Sequence, residues 1–89
     1  MFGATDPEQA IIQLEAYHRE GRGERAEVMA SALVDQLLAQ KSRDDVTQGI
    51  MVKGMRILAA VLNSRGKYKR ARIMIGLLHK HRNKHGKAV

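Results

Sequence analysis

Apolar residues recur at helical spacing in four separate stretches of this chain, and the breaks between them have room only for helix-to-helix turns. Asp6-Pro7-Glu8-Gln9 reads as the first helix start. Asp6 can accept from otherwise unpaired amides, Pro7 suits the first helical position, and Gln9 completes a loose capping box. Ala10, Ile11, Leu14 and Tyr17 carry that helix to about Glu20, where Gly21-Arg22-Gly23 offers a glycine for a left-handed stop. Ala26, Met29, Ala30, Leu33 and Leu37 predict a second helix through about Gln40. Ser42-Arg43-Asp44-Asp45 is the next cap. Ser42 is placed to accept from the Asp45 amide, and two carboxylates favour the positive helix end.

A third helix is expected over 44–64, with Val46, Ile50, Ile57, Leu58, Val61 and Leu62 facing inward and Gly49 and Gly54 either weakening it or admitting a close neighbour. Arg65-Gly66 ends it. A fourth helix over about 67–84 buries Ala71, Met74, Ile75 and Leu78, with Gly86 at the C-cap. No segment has strand character. The expectation is one all-α domain of two antiparallel helical hairpins, about 7–41 and 43–85, with a tail at 86–89.

The halves are related by a shift of 45 residues, which aligns Ile12 with Ile57, Gly21 with Gly66, Ala26 with Ala71 and Leu33 with Leu78. The second copy, Ala59-x-x-Leu62-x-x-x-Gly66-x-Tyr68-x-x-Ala71-x-x-x-Ile75, resembles the tetratricopeptide repeat (TPR). That resemblance implies small residues at Ala59 and Ala71 where paired helices touch, and Tyr68 packed in the turn. The first copy has Gly23 in place of the tyrosine, and the 45-residue offset exceeds that family's usual 34; a plain four-helix bundle is the alternative. Leu62-Asn63-Ser64-Arg65-Gly66-Lys67-Tyr68 is also similar to the small repeat-fold chaperones that hold needle subunits of type III secretion systems.

Charge divides the same way. Residues 1–45 hold nine acids and five bases, a formal −4, whereas residues 46–89 hold eleven bases and no acid. A half-chain at +11 calls for an acidic neighbour: nucleic acid, a membrane surface, a partner protein or its own N-terminal half. The absence of cysteine excludes disulfides and thiolate metal sites. The start of the chain shows no secretory signal and no apolar run reaches membrane-spanning length, so a cytoplasmic protein is expected.

No catalytic constellation is legible. Asp44 and Asp45 serve a helix start, and Ser31, Ser42 and Ser64 have no histidine placed beside them by helical spacing. His79, His81 and His85 include one i, i+4 pair that could grip a transition metal, but they lie among lysines and arginines with no carboxylate or cysteine. Neither a metal nor a cofactor is expected. Gly21-Arg22-Gly23 lacks the preceding strand of a phosphate loop.

The functional expectation is a binding surface. Lys69, Arg72, Lys80 and Asn83 share one face of the fourth helix over about 21 Å. The full candidate set is Lys67, Lys69, Arg70, Arg72, Lys80, Arg82, Lys84 and Lys87. An adaptor or chaperone-like protein would use these cations to steer an acidic partner onto an apolar strip containing Ile73, Leu77, Met51 and Met55, although burial in the four-helix core is the commoner fate of such residues. Nucleic-acid binding is the alternative, through phosphate contacts and counterion release, although Phe2, Tyr17 and Tyr68 provide no stacking platform. The plainer reading is a solvated face that complements the helix dipole. The 45-residue shift also places Lys69, Arg72 and Lys80 over Glu24, Glu27 and Asp35, so an acidic face could meet a basic face between copies of this chain.

Overall fold

The computed structural model describes residues 6–86, with side chains through Arg82. Four helices follow in order: α1 (Pro7–Arg19), α2 (Gly23–Leu38), α3 (Asp45–Ser64) and α4 (Tyr68–Gly86). No strand occurs among the described residues, and no helix there is long and apolar enough to cross a membrane.

The first start follows the sequence: Asp6 Oδ1 accepts from the Glu8 amide at 3.2 Å and Pro7 opens α1. The two hairpin turns share one geometry. Gly21 has φ +77° and Gly66 φ +79°, a left-handed conformation that costs glycine little. In the first turn the Arg22 amide donates to Tyr17 O at 2.9 Å and the Gly21 amide to His18 O at 3.2 Å. In the second, the Lys67 amide donates to Leu62 O at 2.8 Å and the Gly66 amide to Asn63 O at 3.1 Å. Each pair satisfies the carbonyls that a helix end leaves open, and the donors and acceptors correspond under the 45-residue shift.

The link between hairpins departs from expectation. Asp44, not Ser42, caps α3: its Oδ1 accepts from the Thr47 amide at 2.8 Å. Residue 44 precedes the first helical residue, so its side chain reaches the free amides that Ser42, two residues earlier, does not. Arg43 supplies a contact with no sequence signature. Its Nη1 donates to Leu37 O at 2.7 Å and Gln40 O at 3.0 Å while Nε donates to Gln48 Oε1 at 2.8 Å. One guanidinium thus closes the negative end of α2 and fastens it to α3. At the far end Gly86 is the last residue of α4 rather than a cap beyond it.

Packing explains which apolar rows are buried. Among the described residues α1, α2 and α3 pack mutually, and α4 packs on α3, reaching α2 through the Arg70 side chain, so α4 leaves the four helices as an open arrangement rather than a closed ring. Having three neighbours, α3 needs a wide apolar arc. Met51 and Met55 are therefore fully buried beside Leu58 and Leu62, which is the core reading of these residues and not the groove. Gly54 lies where an added Cβ would sit 3.4 Å from Val34 Cγ2, which lets α2 and α3 approach closely. Val46, in the first turn of α3, is exposed despite its expected inward role.

With one neighbour, α4 needs only a narrow stripe: Ala71 and Leu78 are buried and Met74 and Leu77 half-buried. Ile75, expected inside, is 37% exposed and Ile73 is 61% exposed. Ala59 and Ala71 are buried, as close helix packing requires, but Tyr68 is 64% exposed instead of packed in the turn. It opens α4 beyond the reach of the core.

Candidate interaction face on the fourth helix

The structure separates the candidate cations into two groups. Lys67 and Arg70 turn toward α2 and meet Glu27, a residue left only 8% exposed. Lys67 Nζ donates to Glu27 Oε2 at 2.8 Å, and Arg70 Nη1 donates to the same oxygen at 3.1 Å. Arg65, which the sequence reading did not single out, brings Nε to 2.8 Å from Oε1. That approach lacks the alignment of a hydrogen bond, so Oε1 is held by charge.

These contacts hold the Glu27 carboxyl below its ordinary range. The Lys67 hydrogen bond is the largest cause; burial opposes it, and the positive charges of Lys67, Arg65 and Arg70 add to the lowering. Glu27 was expected on an exposed acidic stripe. It is instead inside the chain, joining α2 to the α3–α4 turn, and Lys67 and Arg70 are spent on it. The signal was Glu27's position three residues before Ala30 and seven before Val34, on the border of the buried stripe of α2.

The second group faces water. Lys69, Arg72 and Lys80 lie on the side of α4 opposite Ala71 and Leu78, and Arg82 is exposed near the helix end. None of the four makes an ion pair among the described residues. Ile73 sits among them, one turn after Lys69 and seven residues before Lys80. Lys69 to Lys80 spans about 16 Å along the axis. The Lys84 side chain and all of Lys87 lie outside the described residues.

On α2, Glu24 and Asp35 are exposed, and between them Val28 is 66% exposed. Val28 borders a shallow depression formed with Tyr17, Glu24, Arg25, Met29 and Ala32. The Arg25 guanidinium lies 6.0 Å from the centre of the Tyr17 ring on its wall, the outer limit of a cation–π contact. On α4, His79 is exposed and His81 half-buried; the His85 side chain lies outside the described residues. No cluster of three metal-ligating side chains occurs among the described residues.

The exposed face of α4 therefore offers long cations around an apolar centre, a combination that attracts an acidic ligand and gives its apolar groups a seat. Comparison with protein families, with curated proteins and with solved structures found no match.

Proposed function

We propose that this chain is a non-catalytic, cytoplasmic binding protein, adaptor- or chaperone-like, built as two TPR-like hairpins and holding an acidic segment of a partner protein on the outer face of α4. The observation that carries this reading is the exposed Ile73 set among Lys69, Arg72 and Lys80, all without an acidic partner among the described residues. The open helix series supports it, because stacked hairpins contact only their neighbours and leave a terminal helix face uncovered. Phosphate recognition needs the cations and has no use for the isoleucine, whereas an amphipathic acidic segment uses both.

Nucleic-acid binding is the second reading, favoured by the lack of any acid from Val46 to the last residue. Titration with an acidic amphipathic peptide and with a mixed-sequence DNA duplex, each against wild type, Lys69→Glu and Ile73→Ser, separates the two. Peptide binding weakened by both substitutions supports the protein reading. Duplex binding lost in Lys69→Glu but unchanged in Ile73→Ser, with no peptide binding, replaces it with the nucleic-acid reading. Binding of neither sinks both.

A further inference from the structure

Exposed valine on α2 and exposed isoleucine on α4 each have a charge four residues before and another seven residues after, and those two charges are opposite in sign between the helices, although Arg25 also lies beside Val28. On α2, Val28 is flanked by Glu24 four residues before it and Asp35 seven after. On α4, Ile73 is flanked by Lys69 four before and Lys80 seven after. All six side chains are exposed, and none makes an ion pair among the described residues. Under the 45-residue shift, Val28 corresponds to Ile73, Glu24 to Lys69 and Asp35 to Lys80.

We infer that the acidic segment docking on α4 is the outer face of α2 from a second copy of this chain. This rests on the reading of α4 as a docking face and names its occupant. The unequal spacing selects an orientation. With the helices parallel and in register, Glu24 meets Lys69, Val28 meets Ile73 and Asp35 meets Lys80. An antiparallel arrangement about the same apolar centre leaves each charge three residues, about 4.5 Å along the axis, from its counterpart. The contact is small-sided between the apolar centre and the distal charge pair: Gly76 on α4 corresponds to Ser31 on α2, so the helices can approach closely there. Glu27 takes no part, because it is committed within its own chain.

Each copy carries one acidic and one basic face, so the contact is between unlike surfaces, and a two-fold pair uses it twice. A chain at formal +7 otherwise repels its copies. Local complementarity of sign and spacing has to overcome that repulsion, which makes charge exchange a sharper test than salt.

The test is sedimentation equilibrium on wild type, on Lys69→Glu/Lys80→Glu and on Glu24→Lys/Asp35→Lys, with circular dichroism to establish that each variant is folded. Wild type is expected to self-associate as its concentration rises. Each double variant presents like charges on both faces and should associate roughly tenfold more weakly or not at all. An equimolar mixture of the two variants should regain association, since the acidic α4 of one then meets the basic α2 of the other. Gly76→Gln provides a charge-independent block: an added Cβ meets nothing within 4 Å in the monomer, so the fold tolerates it while the contact does not. A wild type that stays monomeric throughout, or double variants that associate like wild type, overturns the inference. If wild type is monomeric yet the acidic peptide still binds in a Lys69-dependent way, the second copy is excluded and the docking face stands. If the peptide also fails, both fall.

Discussion

Lys67 Nζ donates to Glu27 Oε2 at 2.8 Å across 40 residues of sequence, and through this bond the turn between α3 and α4 is fixed to α2. Burial and exposure are divided unevenly within the cluster. The carboxylate is desolvated, while the Arg65, Lys67 and Arg70 side chains keep 35%, 39% and 56% of their exposure.

Glu27→Gln removes the charge and leaves three cations close together, which their exposure lets water stabilise in part. The expected loss at neutral pH is about 1–2 kcal/mol, read from the urea midpoint. The pH dependence has a definite sign. The folded-state pKa is lowered, so the folded chain binds fewer protons at this site than the unfolded chain, and its contribution is full above the ordinary glutamate value of the unfolded chain. It is lost as pH falls through the lower folded value. The stability difference between wild type and Glu27→Gln should therefore narrow on acidification; a constant difference would refute the assignment.

The α3 cap gives a paired prediction. Asp44→Ala removes the acceptor of the Thr47 amide and should lower the melting temperature, whereas Ser42→Ala should leave it unchanged. Hydrogen bonding from Thr47 also holds the Asp44 carboxyl below its ordinary range, so acid weakens this cap as well. Some acid sensitivity should persist in Glu27→Gln and shrink further when Asp44→Asn is added.

Met55→Ala opens space in the centre of α3's packing and should cost about 2–5 kcal/mol in denaturant unfolding. Ile73→Ala, on the outer face of α4, should stay within about 0.5 kcal/mol. Comparable losses for both would mean that α4 is covered in the isolated chain.

At Gly66 an alanine must adopt φ near +79°, with open space around its Cβ. Gly66→Ala should cost about 1–2 kcal/mol through backbone strain alone. Gly21→Ala should give a similar value because its turn has the same conformation; a large difference between them would refute the equivalence of the two turns.

Local chemistry made part of this arrangement legible in sequence. Pro7 after Asp6 marks a helix start, and Gly21 and Gly66 mark left-handed stops, because these features depend on a few neighbouring bonds. Burial is different. Periodicity shows an apolar row but not how many helices surround it. Sequence therefore leaves Met51 and Met55 open between core and groove, a choice the three neighbours of α3 make in favour of the core, and it places Ile75 in a core that α4, packed on one neighbour, does not provide. The outward position of Lys69, Arg72 and Lys80 followed from helical phase. Glu27 did not, since its partners Lys67 and Arg70 lie 40 and 43 residues away and meet it only after α4 has docked.

A helix that leans on one neighbour has its own opening equilibrium. α4 can leave α3 by giving up one packing interface and the Arg70–Glu27 contact, without dissolving the contacts among α1, α2 and α3. Its amides should then exchange with solvent faster than those of α3, through a sub-global opening rather than complete unfolding. The helix carrying the proposed docking face is then one whose stability a bound ligand can raise directly.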